Sequence, residues 1–586
     1  MTGHINPQIL KGLIQVALGK KKASWVISNI FLVNVFSREI QKNFSIGVFK
    51  NRIAYVGPDP RPLIGSQTEV IDGQGQYLLP GFLDAHTHLD SMFTCNSYAP
   101  YALMTGNTTA ITEMGMVANV MGKTGIDLFM KEAGKSALRI FFLAPALAPP
   151  FPELETSQGP TLKEFSQILK RPEVLGVGEA YWPRVVGLDP RTTHAYLLAH
   201  RLNKTREGHA AGAKEENFMA YAAAGTNSCH EATTFEEAVE RLRFGLAVMI
   251  REGFVRKELE ALAPLAQTGL DLHRVMLVSD IFHPEDLLQG QGMNSLLAKA
   301  VSLGFDPVTA VMMVTRHVAD YFGLRDLGGI APGKLADLVL VKDLTRFECS
   351  KVWVDGCLTV DHGRFIKDAV PFSYPEEAKQ SFSIPLIDPG VFSIPCSFQQ
   401  VKVRVVKAVN QTITQEVQII LKSRRGRLVS DPKQDVLKMA VIQRHDRIPR
   451  PALGFTQGVG LSEGAVATSL TWDANNILVI GVTDQEMAQA VNRLLELKGG
   501  WVVCRGDRIV AEMPMPIMGL ISEEPLPALN RQIQKIEKAV QSLGSSLERP
   551  FLTLQIFCFT GLPFIRLTDK GLADIRQNKL IDIYAP

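Results

Sequence analysis

His86-Thr87-His88 sets two imidazoles two residues apart. In an extended chain residues i and i+2 point the same way, so both rings can face one point. Imidazole is a common ligand for borderline metals, and two aligned rings make half a metal site. Four more donor-type side chains close β-like runs elsewhere: Glu179, His209, His230 and Asp280. Taken singly, Glu179 reads as a helix-start acid, Asp280 as an N-cap, and each histidine as a buried core residue. Taken together, six N/O donors end five separate runs, and that coincidence points to a metal centre. Four imidazoles and two carboxylates without a thiolate suit Zn, Mn, Fe or Co. Cys229 adjoins His230 but faces the opposite way in a strand and reads as packing. Two cations sharing Glu179 would activate a water near neutral pH, and Asp280 could take its proton and return it to a leaving group. The chemistry implied is hydrolysis at a carbon electrophile.

Those donors need elements to hold them. Eight β-like runs, at 77–82, 108–113, 140–144, 174–179, 206–209, 226–230, 247–251 and 275–280, alternate with helical patterns. Eight βα units in about 250 residues imply a (β/α)8 barrel, whose active site sits at the C-terminal ends of its strands. The fifth run is poor in β-formers and is kept because the count requires it. Before the barrel, residues 1–22 read as a helical lead-in. Short strand patterns in 23–75 and again in 331–375 read as one small β-sandwich interrupted by the barrel at 76–330. Residues 376–586 mix strand and helix patterns and form a separate α+β domain. The overall class is α/β.

Composition limits the partners. Lys+Arg 62 against Asp+Glu 59 gives a net charge of +3 without basic blocks, which excludes nucleic acid as the first choice of partner. The longest charge-free apolar stretch, 140–152, is far short of a membrane span and carries four prolines. Seven scattered cysteines without a C-x-x-C motif suit reduced thiols in the cytoplasm.

The run Pro80-Gly81-Phe82-Leu83-Asp84-Ala85-His86-Thr87-His88, with Ile330-Ala-Pro-Gly-Lys-Leu-Ala-Asp-Leu-Val339, resembles the amidohydrolase superfamily. More narrowly the chain resembles the bacterial adenine deaminases almost end to end, through Gly208-His209-Ala210, His230-Glu231-Ala232-Thr233-Thr234, Met249-Ile250-Arg251-Glu252-Gly253 and Pro514-Met515-Pro516-Ile517-Met518-Gly519-Leu520. The resemblance implies a dinuclear hydrolase converting adenine and water to hypoxanthine and ammonia. It implies two divalent ions, with manganese first and iron or zinc after it, a purine-type small-molecule substrate and a homo-oligomer, most simply a dimer. Further candidates are Glu231 to protonate a ring nitrogen and His283 to hold a leaving amine. Asp90, Arg251 and Glu252 are candidates to reach substrate. Four stretches depart from the family pattern: Leu89-Asp90-Ser91, Glu113-Met114-Gly115-Met116, Asp280-Ile281-Phe282-His283 and Asp473-Ala474-Asn475-Asn476. The changes at Gly115, Met116, Ile281, Phe282 and Asn475 remove polar partners. They keep two alternatives open: an amidohydrolase acting on another N-heterocycle or cyclic amide, and a non-catalytic metal-binding relative.

Overall fold

The structure, a computed structural model, describes residues 6–368 and 370–586; residues 1–5 of the expected lead-in lie outside them. A helix, Pro7–Ala17, begins where the Asn6 side chain accepts the Ile9 amide. It buries Gly12, Leu13 and Val16, and Gly12 lies so close to the Phe49 ring that a Cβ would sit 2.1 Å from it.

Both flanks of the barrel join in one eight-stranded sheet. Its order is Arg364–Phe365, Cys357–Asp361, Cys349–Val354, Leu338–Val341, Glu69–Pro80, Trp25–Asn34, Glu39–Phe49 and Arg52–Gly57. The expected sandwich is thus a single sheet that coils over on itself. Trp25 and Trp353 stack with centroids 5.5 Å apart inside it, and Ile53 N donates to Lys334 O across its open edge.

The barrel strands are β1 (Phe82–Thr87), β2 (Asn107–Thr112), β3 (Arg139–Ala144), β4 (Val174–Tyr181), β5 (Thr205–His209), β6 (Ser228–Cys229), β7 (Ala247–Arg251) and β8 (Val275–Val278). The first five and the last three form two parallel ladders. Two seams join them into eight. Asn227 N donates to Arg206 O between β5 and β6, and Asp280 N donates to His86 O beside β8 and β1.

The expected first run, 77–82, is split between two strands. Residues 77–80 belong to the coiled sheet, and β1 starts only at Phe82. One apolar stretch therefore serves two strands, broken at Pro80-Gly81. Gly81 is needed there because a Cβ would lie 2.3 Å from Thr108 Oγ1. The weak fifth run does form a strand. Glu207 turns into the barrel interior, where the hydroxyls of Ser228 and Tyr321 donate to its carboxylate, so partners inside the barrel override local propensity.

Residues past 376 build a second eight-stranded, mostly antiparallel sheet, ordered Thr414–Lys422, Gln400–Ala408, Ala452–Gln457, Leu437–Ile442, Ile477–Gly481, Ala465–Thr468, Gly500–Arg505 and Arg508–Pro514. The helix Leu526–Ser542 packs against this sheet and against the barrel helix Pro284–Leu288. Ile521–Ser522 pairs in parallel with Met92–Phe93, just past β1. The long loop after β3 is held by the same domain: Thr156 N donates to Asp569 Oδ1, and Asn476 Nδ2 donates to Thr156 O. Among the described residues no helix is long and apolar enough to cross a membrane.

Glu155 is buried in this joint, where its Oε1 accepts the Phe151 amide at 3.2 Å and the Thr560 hydroxyl at 2.8 Å. Burial pushes its carboxyl up to about 8, with the nearby Asp473 charge adding to the effect. A carboxyl whose folded pKa exceeds its unfolded one favours folding most when protonated. Its contribution is therefore complete below about pH 4.5 and is lost as pH rises to about 8. Glu155→Gln keeps the acceptor and removes the titration. Thermal unfolding across pH 5 to 8 should show the variant matching the parent at the acid end and becoming progressively more stable than it toward pH 8.

Candidate metal centre and active site

Two groups of donors meet at the C-terminal mouth of the barrel. In the first, donor atoms of His86, His88, Glu179 and Asp280 all lie within 4.8 Å of one another; in the second, those of Glu179, His209 and His230 do. β1 carries His86, β4 carries Glu179 and β5 ends on His209. His88 and His230 follow directly on β1 and β6, and Asp280 lies two residues past β8. The alternation of β1 turns His86 and His88 to the same side, as the H-x-H spacing requires.

Glu179 belongs to both groups. Its Oε1 lies 3.0 Å from His86 Nε2, 3.4 Å from His88 Nε2 and 3.2 Å from His230 Nε2, while Oε2 lies 3.3 Å from His209 Nδ1. Asp280 Oδ1 stands 3.5 Å from both His86 Nε2 and His88 Nε2. The distances alone would suggest ordinary ion pairs. Yet His86 Nε2 is buried with no aligned hydrogen bond, and so is His209 Nε2. Buried imidazole nitrogens left unpaired beside carboxylate oxygens fit a set of ligands gathered around a cation. Burial pushes the His86 imidazole down, but Asp280 and Glu179 overcome this and hold it up at about 10. The surrounding carboxylates thus demand a positive charge at this position. Imidazole nitrogen and carboxylate oxygen without thiolate are a fitting set for a divalent transition metal.

Arg251, at the end of β7, organises the acids beside the donors. Its Nη1 is 2.7 Å from Glu231 Oε1 and 3.6 Å from Asp280 Oδ2; Nη2 is 2.8 Å from Glu258 Oε1. Glu231 Oε1 is also 3.1 Å from His230 Nε2. Burial alone would raise the Glu231 carboxyl; Arg251 and His209 outweigh it and hold the group well below the usual carboxylate range. For Asp280, burial is outweighed by the adjacent His86 and His88 imidazoles and by the Arg251 charge, with the same result. Glu231 does not cap the following helix, whose N-cap is Thr234.

Three candidates stand elsewhere. His283 caps the helix Pro284–Leu288, its Nδ1 accepting the Glu285 amide, and its ring lies 4.7 Å from Phe254. Burial and the nearby Arg549 lower it to about 4, and it does not line the cavity over the donors. Glu252 pairs with Lys299 at 2.7 Å and accepts the Leu259 amide, so it points away from the site. Asp90 Oδ2 accepts the Met116 amide at 2.8 Å and the Val117 amide at 3.4 Å. It caps the helix Gly115–Ala133 from outside, because Met114 at the N-cap cannot. Their shared reason is local: each side chain meets an unpaired helix-terminal N–H or a neighbouring charge before it can reach the cavity.

The cavity is lined instead by Met116, Ile281 and Arg251, and from the C-terminal domain by Trp472, Asp473 and Phe559. Of the less polar positions, Met116 and Ile281 face it. Phe282 is buried away from it, Gly115 begins a helix with open space beside it, and Asn475 bonds to its own chain at Asp473 O and Thr471 N. Glu113 is a further carboxylate beside the donors. Its Oε1 accepts the Glu179 amide at 3.1 Å and lies 3.9 Å from His86 Nδ1. It follows β2 directly, so the strand-end signal that marked the other donors was available for it too.

Residues 77–359 match the amidohydrolase family and residues 411–579 the adenine deaminase C-terminal domain. The chain is 36% identical to the adenine deaminase of Moorella thermoacetica over 98% of each chain. It is 34% identical to that of Desulfatibacillum aliphaticivorans over 98% of this chain and 99% of that one. The chain belongs to the adenine deaminase family. Among solved structures it is similar to enamidase, a member of the amidohydrolase superfamily, with 20% identity and a TM-score of 0.46 over 58% of this chain and 96% of that one.

In this adenine deaminase family member Arg251 is the only cation bonded to Glu231 and Glu258 among the described residues apart from histidines. Arg251→Met would leave those carboxylates and Asp280 buried without it. Losing one partner of a buried charge network costs about 3–5 kcal/mol. Urea unfolding should show a loss of that size, against no resolvable change for the exposed pair variant Arg61→Met.

Proposed function

We propose that this protein is a metal-dependent hydrolase that converts adenine and water to hypoxanthine and ammonia. The carrying observation is that two donor groups share Glu179 beside the Glu231–Arg251–Asp280 chain, in a sequence that aligns end to end with adenine deaminases. His86, His88 and Asp280 with Glu179 would hold one divalent ion, and His209 and His230 with Glu179 the other. Manganese is the first assignment, with iron or zinc equally compatible with the donor types. When bound, such ions supply Lewis acidity that makes water a nucleophile near neutral pH.

The protein's own groups account for the protons. Adenine gains the oxygen of water at C6, and the two protons of that water must go to different places. One must reach the departing amine to make ammonia, and the other must reach N1, where hypoxanthine carries it. Asp280, beside His86, His88 and Arg251, and Glu231, beside Arg251 and His209, both start ionised, and each can accept one proton and pass it on. Asp280, among the ligands, serves the amine; Glu231, beside His209 and His230, serves N1. Glu113 fixes Glu179 through its amide.

Met116 and Ile281 facing the cavity favour a second reading, in which the same centre hydrolyses another N-heterocycle or cyclic amide. Protein purified with Mn²⁺ should carry two metal ions per chain by elemental analysis and release ammonia from adenine faster than from a cyclic-amide panel. One ion per chain with full activity would eliminate the shared-carboxylate arrangement, and turnover of a cyclic amide alone would replace the substrate.

Asp280→Asn should keep the fold and the adenine affinity while lowering kcat by about 10²–10⁴, the usual range for general acid–base groups. Circular dichroism and steady-state kinetics check both halves.

A further inference from the structure

Four carboxylates line the cavity: Glu179, Glu231, Asp280 and Asp473. Three belong to the barrel and are engaged by histidines or Arg251. The fourth comes from the C-terminal domain. Its main chain is pinned from both sides, since Asp473 O accepts Asn119 Nδ2 at 2.9 Å from the barrel and Asn475 Nδ2 at 2.7 Å from its own domain. The Tyr181 hydroxyl, at the end of β4, donates to Asp473 Oδ2. Asp473 Oδ1 receives no hydrogen bond among the described residues. Next to it Trp472 meets Phe559 edge-on, with centroids 5.6 Å apart, and the two rings make an apolar wall beside His209.

We infer that Asp473 is a specificity-determining residue, reading the N–H of the substrate's five-membered ring and so selecting the free base over N-substituted forms. The inference deepens the proposed adenine deamination and rests on it. In that reading the amine-bearing carbon faces Asp280 and Glu179, and N1 faces Glu231. One N–H of adenine is then left over, on the imidazole ring. One cavity carboxylate is left over as well, an acceptor with a free oxygen, beside an aromatic wall suited to a planar ring. An ionised carboxylate can only accept hydrogen bonds. An N–H satisfies it, whereas a carbon substituent in the same place leaves it buried and unpaired. A site built to pair a substrate N–H rejects the analogue lacking it by roughly 10³-fold or more.

Adenine, 7-methyladenine and 9-methyladenine separate the roles, since both methylated bases lack the five-ring N–H. In the Mn²⁺-loaded wild type, ammonia release should give each methylated base a kcat/KM at least about 10³ below that of adenine. In Asp473→Ala the adenine value should fall mainly through KM, and the adenine to 9-methyladenine ratio should shrink by about 10² or more. Asp473→Asn keeps the shape and one acceptor oxygen and should fall between the two, which covers the case in which the alanine variant does not fold. A merely structural role would lower kcat for every substrate and leave the ratio unchanged, and that result would overturn the inference. So would a wild type that accepts 9-methyladenine as readily as adenine. A wild type inert toward adenine would instead overturn the deaminase reading beneath it.

Discussion

The last barrel strand closes on the first through Asp280. His88 N donates to Asp280 O at 2.9 Å and Asp280 N donates to His86 O at 3.1 Å. Barrel closure is therefore made by residues that also carry donor side chains. Asp280 sits at φ +62°, in the left-handed region that few residues other than glycine enter and that Asp tolerates better than most. The backbone turns out of the strand there, and the carboxylate stands beside His86 and His88. Opening the seam would separate the two metal-ligand candidates on β1 from the one after β8, so fold and site are assembled by the same contact.

The buried charge around this seam is balanced rather than merely tolerated. Arg251 connects the ends of β6, β7 and β8 by reaching Glu231, Glu258 and Asp280. Deeper in the barrel Asp84 accepts the Ser279 hydroxyl and amide, and burial pushes its carboxyl up to about 6. Glu231 and Asp280 are kept ionised by a guanidinium and imidazoles, while Asp84 beneath them is drawn toward neutrality by burial. The two outcomes follow from which groups lie next to each acid, since Asp84, Glu231 and Asp280 are all buried.

What the sequence made legible follows from the range of the interactions concerned. Period-two alternation and the βα count act within a few residues, and they place His86, His88, Glu179, His209, His230 and Asp280 at strand ends, where the structure brings them together. The limit of strand one was not legible, because the apolar run across Pro80-Gly81 carries no sign of which sheet each half joins. For His283, Glu252 and Asp90 a helix N-terminus or a lysine close in space engages the side chain, and spacing to the motif cannot show it. Trp472 and Phe559 carried no signal as site residues, and Asp473 stood out only as part of a stretch that departs from the family pattern. They reach the barrel mouth only through docking of a domain whose contacts span hundreds of residues.

That docking also decides how the site meets water. The C-terminal domain is tied to the barrel by main-chain pairing at Met92–Phe93, by Asn119 and by the loop after β3. A cover bonded at so many points excludes solvent by fixed packing, and charge interactions beneath it are stronger than they would be in an open mouth. Its thin side is toward an outer cleft of about 730 Å³, which shares Val255, Arg256 and Thr412 with the cavity over the donors as a common wall. Thr412 comes from the C-terminal domain and the other two from the loop after β7. The same interdomain joint that delivers Asp473 to the donors thus also sets the boundary between the site and solvent, which is why a barrel with a complete donor set still depends on the second domain.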